Sequence, residues 1–450
     1  MTPRADEMRP RRARFSALFT LALSIFSAAV VLGALNSKSV ARATVMTNPI
    51  QHVVIVMQEN RSFDEFFGTY PGADGLPPDT CMPDPLNGGC QRPYHDTNVV
   101  NKGAGHGAQS FRKDYNNGAM DGFVRNAERD GDQHPDVMGY HDASDLPNYW
   151  AYAQNFVLQD RMFAPTGSWS LPVHLYLVSA WSALCTDPAD PFTCKSWIGG
   201  RQPGFGNGAG PFTWTDLTYL LHKSGISWRY YVTTGTQPDC DDGDASSCAD
   251  KAQTPGTPSG WNPLPSFTTV KQNGELGNVQ DSSQFFTAAA NGTLPSVSWV
   301  IPSGPQSDHP PRSIKDGQAW VTSLINAVMQ GPNWNSTAIF VSWDEWGGFY
   351  DHVPPPKVDH SGYGFRTPAF MISPYARRGY IDHQTLSFDA YLKFIEDLFL
   401  GRQRLDPAND GRPDPRPTVR ENVPQLGDLM AEFDFSQAPR KPMVLPLYPG

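Results

Sequence analysis

Positive charge is scarce in this chain: 35 Lys and Arg stand against 45 Asp and Glu, a formal charge of −10 over 450 residues. A surface of that sign cannot neutralise a nucleic-acid backbone, so no nucleic acid is expected as a partner. No Cys-x-x-Cys pair occurs, which removes the usual thiolate zinc sites. No Ser/Gly linker or repeat divides the chain, leaving one large domain or two.

What is present begins with an export pattern. Arg4, Arg9, Arg11, Arg12 and Arg14 precede an uncharged stretch of 21 residues from Phe15 to Leu35, and Ala41-Arg42-Ala43 supplies a small-x-small cleavage site. Residues 1–43 are therefore predicted to be a signal peptide, and the protein to be secreted or kept at the cell envelope by the same stretch as an uncleaved anchor. Without the seven basic and two acidic residues before position 44, 28 basic face 43 acidic residues, a net charge of about −15. The six cysteines fall into three close couples, Cys81/Cys90, Cys185/Cys194 and Cys240/Cys248. In an exported chain these read as local disulfides stapling loops.

Two apolar runs each end in a pair of oxygen ligands. His52-Val53-Val54-Ile55-Val56-Met57 leads through Gln58 to Glu59-Asn60, and Thr337 to Trp343 leads to Asp344-Glu345 followed by Gly347-Gly348. Runs of this kind read as strands buried on both faces, and ligands bind beyond the carboxyl ends of such strands. Further strands are predicted at 296–301, 226–232 and 368–372, and helices at 215–225, 317–329 and 387–400. The alternation argues for an α/β fold, a mostly parallel central sheet sandwiched by helices. Residues 71–148, rich in Gly, Asp, Asn and His, read as an elaborated loop or cap over the site. Residues 401–450 read as a Pro-rich tail packed on a catalytic domain spanning 44–400.

Neighbours on a regular strand point to opposite faces, so each acid pair can share one ion only where the strand has ended and the backbone turns. Three carboxylates and an amide form a hard set suited to Mg, Ca or Mn, with an acid-ligated Zn as a further option. The plain alternative has Glu59 capping a helix and Asp344 pairing with an arginine. A second constellation runs from Asp160 to Tyr176, where Thr166, Ser168 and Ser170 lie on a Gly/Pro-shaped turn leading into an apolar helix, a setting that favours either a cap or phosphate oxygens. A third comprises His106, His309 and His352, residues able to donate to phosphate or protonate a leaving oxygen. The last two flank the second acid pair in sequence.

Together, Glu59 to Asp64 with Phe67-Gly68, Met138-Gly139-Tyr140 through Leu146-Pro147, Phe163 to Tyr176, Asp308 to Pro311, Asp344 to Val353, and Arg366-Thr367-Pro368 with Ser373-Pro374 resemble, in order, the blocks of a bacterial phosphoesterase family. That family contains phosphatidylcholine-type phospholipases C and a branch of acid phosphatases on an alkaline-phosphatase-like core. The resemblance implies that Glu59, Asn60, Asp344 and Glu345 ligate one divalent metal ion, that Ser170, two residues before Pro172, is the nucleophile, and that His106 and His309 contact the phosphoryl group. Family members carry Asn after that Pro, where this chain has Val173. The implied substrate is a phosphate ester, with phospholipid at a membrane surface favoured; Trp169, Trp181 and Trp197 are candidates for an apolar rim. Competing readings are an acid phosphatase, a sulfatase, whose motif needs Arg where this chain has His174, and a secreted protein that uses the same acids to hold a structural ion.

Overall fold

The computed structural model describes residues 48–199, 210–238 and 248–449. The expected signal peptide and Cys240 lie outside the described residues. Hydrophobic runs too short for a helix and flanked by turn residues become the strands of one central sheet. These are β1 (His52–Gln58), β2 (Val157–Gln159), β3 (Trp228–Val232), β4 (Val279–Asp281), β5 (Val297–Ile301), β6 (Thr337–Trp343), β7 (Ala369–Ile372) and β8 (Tyr380–Asp382). They lie in the order β4-β3-β5-β1-β6-β7-β2-β8. Every neighbouring pair is parallel except the two made by β7, so one strand of the sheet runs against the rest.

Both faces of the sheet are covered. Phe340 of β6 meets Tyr391 and Phe394 of the helix Phe388–Phe399, with ring centroids 5.2 and 5.5 Å away. Trp343, three residues further along the strand and so on the opposite face, meets Tyr149 of the helix Pro147–Asn155 at 5.1 Å. This double coverage explains why β1 and β6 are apolar along their whole length rather than alternating. The helix Ser170–Ser179, buried at every position, packs against Phe388–Phe399. Among the described residues, no helix is long and apolar enough to cross a membrane.

The expected strands and helices fall close to their predicted places. The helix Leu217–Lys223 starts where the Asp216 side chain accepts from the Thr218 N–H, and the helix foreseen at 317–329 extends back to Ile314. The strands that sequence patterning missed, β2, β4 and β8, are three residues long, too short to display a period. Segment 71–148 contributes two-residue ladders, the helices Ala108–Tyr115 and Phe123–Arg129, and a small apolar cluster in which Phe123, Val124 and Met138 pack with Trp346, Tyr350 and Phe365. The segment is thereby fastened to the loop that follows β6. Residues 401–449 contain no α-helix or strand, yet they are tied down by buried Arg420, whose guanidinium reaches Asp359, Asp389 and the Pro165 carbonyl. Disulfides join Cys81 to Cys90 and Cys185 to Cys194.

Phe340 is fully buried between sheet and helix. Phe340→Ala is expected to cost roughly 3–5 kcal/mol of stability, read from denaturant unfolding midpoints; a loss under about 1 kcal/mol would contradict this packing.

Candidate active site

The site forms where β1 and β6 stop. Parallel pairing sets Gln58 opposite Trp343, so the next residues, Glu59 and Asp344, emerge side by side. The chain then turns sharply on both sides. Asn60 adopts φ 55°, a left-handed conformation that asparagine tolerates, and Gly347 follows at φ 64°. A Cβ on Gly347 would collide with the Asn60 carbonyl oxygen, so glycine is required for the two turns to interlock. Asp344 Oδ1 accepts from the backbone N–H groups of Asn60 and Glu345 at 2.9 and 2.8 Å. The Asn60 amide donates to Glu345 Oε1, and the Gly347 N–H to Glu345 Oε2 at 2.7 Å.

The helix Ser170–Ser179 points its first turn at this cluster. Ser170 Oγ donates to Glu59 Oε2 at 3.3 Å, and His174 Nε2 lies 3.0 Å from Glu59 Oε1. Glu59, Asn60, Asp344, Glu345 and His174 are sealed from solvent, while Ser170 keeps 7%, His106 4% and His309 3% of their exposure. The narrow opening therefore lies on the serine and histidine side. Of the alternative hydroxyls, Ser168 donates to the Ile198 carbonyl, and Thr166 Oγ1 is buried without a partner.

His106 and His309 stand edge to face, 5.5 Å apart. Each commits Nδ1 to a backbone carbonyl, Ala104 at 3.0 Å and Pro310 at 2.6 Å. A carbonyl only accepts, so each Nδ1 carries a hydrogen and leaves Nε2 for the site. His106 Nε2 lies 3.7 Å from Glu345 Oε1. His352 is not brought to this cluster: its partners are Asp64, 2.7 Å from Nδ1, together with Asp74 and Arg366.

Burial, reinforced by Asp344 and Glu345, pushes the Glu59 carboxyl well above its ordinary range. Burial likewise raises Glu345, with Asp344 adding to it, and raises Asp344. Neither acid plays the plain role. Ser62, not Glu59, caps the helix Phe63–Phe67, and Asp344 bonds to backbone N–H groups rather than to an arginine. Asp344 Oδ2 and Asn60 Oδ1 are buried acceptors with no donor, an arrangement that a cation would satisfy.

Glu59, His174 and Asp344 offer ligand atoms within 4.8 Å of one another. The residues present therefore fit a divalent ion, with a nitrogen donor that the sequence reading did not assign. Burial lowers His174 to about 3, keeping the ring neutral as ligation requires. The available signal was its place four residues after Ser170, on the same helical face.

A buried carboxylate cluster beyond the carboxyl ends of a mostly parallel sheet, with a serine hydroxyl and histidines at its mouth, is the equipment of a hydrolase. The chain belongs to the phosphoesterase family, whose profile matches residues 50–400, and it is a hydrolase of phosphoric ester bonds. Phospholipase C A of Mycobacterium tuberculosis is 27% identical over 443 residues, covering 87% of this chain and 78% of that protein. The non-hemolytic phospholipase C of Burkholderia pseudomallei is 27% identical over 460 residues, covering 88% of this chain and 60% of that protein. Among solved structures, a protein of the alkaline phosphatase superfamily from Vibrio parahaemolyticus superposes with a TM-score of 0.36 at 10% identity, over 78% of this chain and 66% of that one.

The turn that carries His309 is set by its neighbour. Asp308, at φ 67°, gives its carbonyl to Arg61 Nε and NH2 at 2.9 and 2.7 Å, and its carboxyl accepts from Tyr149 and Trp343. Burial, partly opposed by Arg61, lifts Asp308 to about 7. Its folded pKa thus lies above the unfolded value of about 3.9, so the stability linked to its proton is complete below about pH 4 and is lost as pH rises through 7. Asp308→Asn is expected to flatten that loss: the stability of the variant relative to the parent should rise between about pH 4.5 and about pH 7.5 in urea titrations. Parallel pH profiles would refute the assignment.

Proposed function

We propose that this protein is an exported, metal-dependent, phospholipase C-like phosphoesterase that cleaves phosphate esters through Ser170. The observation that carries the reading is the Ser170 hydroxyl, hydrogen-bonded to Glu59 at 3.3 Å at the start of a ten-residue helix. Helix N–H groups at that end favour phosphoryl oxygens, and the hydroxyl lies beside three clustered metal-ligand groups.

Glu59, Asp344, His174 and the unpaired Oδ1 of Asn60 would hold the divalent ion. Glu345, both of whose oxygens accept from neighbouring N–H groups, braces Asn60. The ion, when bound, supplies Lewis-acid polarisation of the phosphoryl group and offsets its charge.

Ser170 Oγ attacks phosphorus and gives its proton to Glu59. The bond from phosphorus to the alcohol breaks, and His106, carrying a second proton on the Nε2 that faces Glu345, protonates the departing oxygen. His309, lowered to about 3 by burial and by His106, stays neutral; with its hydrogen on the Pro310 carbonyl, it lines the pocket without donating to the phosphoryl group. Water then hydrolyses the phosphoserine ester, giving a proton to His106 as Ser170 recovers its own from Glu59. His352, held by Asp64 and Arg366, acts at most through the fold.

Diesters with a lipid leaving group are favoured because the relatives carry phospholipase C names. An apolar rim built from the three tryptophans is not favoured, since Trp169 and Trp181 are buried. The disulfides Cys81–Cys90 and Cys185–Cys194 support an oxidising compartment outside the cytosol.

Purified protein should release diacylglycerol from phosphatidylcholine and lose that activity on chelation. Ser170→Ala should lower turnover by roughly a thousandfold or more without changing the unfolding temperature. Turnover of p-nitrophenyl phosphate alone would transfer the protein to the acid phosphatase branch, and full activity in the Ser170→Ala variant would reject the nucleophile.

A further inference from the structure

A second group of metal-ligand side chains lies apart from the acid cluster, where the strand pair 94–95 and 139–140 meets the turn that follows it. His95, Asp142 and Asp145 each present a ligand atom within 4.8 Å of the other two. His95 Nε2 lies 2.7 Å from Asp145 Oδ2 and 3.8 Å from Asp142 Oδ1. The Asp142 backbone N–H also donates to Asp145 Oδ2, at 3.1 Å. Alone, this is an imidazole on a carboxylate, such as many surfaces carry.

What sets it apart is His141. Its side chain is 1% accessible, its Nδ1 has no hydrogen-bond partner, and that nitrogen lies 3.8 Å from Asp145 Oδ2. The tautomer follows from its neighbours. Asn101 Nδ2 donates to Asp96 Oδ2 at 3.0 Å, so the opposite amide atom is the acceptor Oδ1. That oxygen receives Arg61 NH1 at 3.0 Å and faces His141 Nε2 at 3.2 Å. Nε2 therefore carries the hydrogen, and Nδ1 directs a bare lone pair at a carboxylate oxygen. A cation between these two acceptors would satisfy the lone pair of His141. A second proton on His141 is disfavoured, because burial and Arg61 outweigh the pull of Asp145 and Asp96 and lower that ring to about 4.

We propose that His95, His141, Asp142 and Asp145 form a structural site for a divalent transition-series cation of the zinc type. Two imidazoles and two carboxylates are a donor set that suits zinc and is nitrogen-rich for calcium or magnesium. His95 and Asp142, with side chains 33% and 38% accessible, lie on the side from which an ion enters from solvent, while His141 supplies the inner ligand. Binding replaces the His95 proton on Asp145 and occupies the His141 lone pair. The ion would pin the 94–101 loop to the 139–146 turn. Through His141, Asn101 and Arg61, it would also brace the Asp308 carbonyl beside His309.

The test uses the chain stripped with chelator, incubated with zinc chloride, freed of excess and assayed for metal per polypeptide. A Glu59→Gln/Asp344→Asn variant, which dismantles the acid cluster, should retain one zinc ion per chain and a zinc-dependent rise in unfolding temperature. Adding His95→Ala and Asp142→Ala, at accessible positions, should remove both. His141→Phe, which keeps the ring shape without the lone pair, should remove them too, with circular dichroism confirming a folded chain. Zinc content unchanged by the His95 and Asp142 substitutions would overturn the proposal, as would a Glu59→Gln/Asp344→Asn variant that holds no zinc. Neither result depends on whether Ser170 is the nucleophile.

Discussion

Side-by-side parallel pairing of β1 and β6 is the constraint on which the rest depends. It delivers Glu59 and Asp344 to the same level at the edge of the sheet, and Glu345 follows at once. All three carboxylates are inaccessible to solvent. Two unit charges about 4 Å apart repel by roughly 4 kcal/mol at an effective dielectric near 20, so such a cluster must bind protons or a cation. Burial pushes all three acids upward in pKa, which is the same demand expressed as proton affinity. The strands, both covered on two faces, cannot slide to relieve it, because a one-residue slip would reverse which face each side chain packs.

Among the described residues, the buried arginines are committed elsewhere, Arg416 to Asp414. Arg61 serves Glu65, Asn101 and the Asp308 carbonyl. Arg366 serves Asp64 and Asp351 together with the Asp74 and Asp160 carbonyls, and Arg420 binds Asp359 and Asp389. Each guanidinium ties together segments distant in sequence, so these arginines build the walls of the site while leaving its floor negative. Acidic net charge and a negative floor together mean that an anionic ester is held only by positive charge focused at one point. Chain-wide electrostatics and the local acid cluster thus lead to the same requirement.

The central part of this design was legible in the sequence. Two continuous apolar runs ending in acid pairs expose both the strands and the acid cluster beyond them, because full burial on two faces gives unbroken apolar runs. The glycines after the second pair announced a turn that the geometry confirms at Gly347. Less legible were features that depend on partners far along the chain. β7 reads like any buried strand, and nothing local reveals that it runs antiparallel. His174 lies inside a helix of apolar residues and looks like core until Glu59 is placed against it. His352 sits next to the acid block in sequence, yet Asp64 and Arg366 draw it away. The 71–148 segment shows little periodicity because its ladders are two residues long and its apolar residues pack against Trp346 and Phe365 from another part of the chain.

Histidine shows how far surroundings decide a role that composition leaves open. His174 and His309 are stripped of charge by burial, and each is aimed by a committed contact, Glu59 for the first and a backbone carbonyl for the second. Burial also works against charge on His352, but the hydrogen bond and charge of Asp64 outweigh it and hold that ring above its ordinary value. The same side chain is therefore held neutral near the acid cluster and holds its proton more tightly in the Asp64 and Arg366 network. What separates them is whether a carboxylate meets the ring unopposed or is already surrounded by others, and that follows from where the strands end.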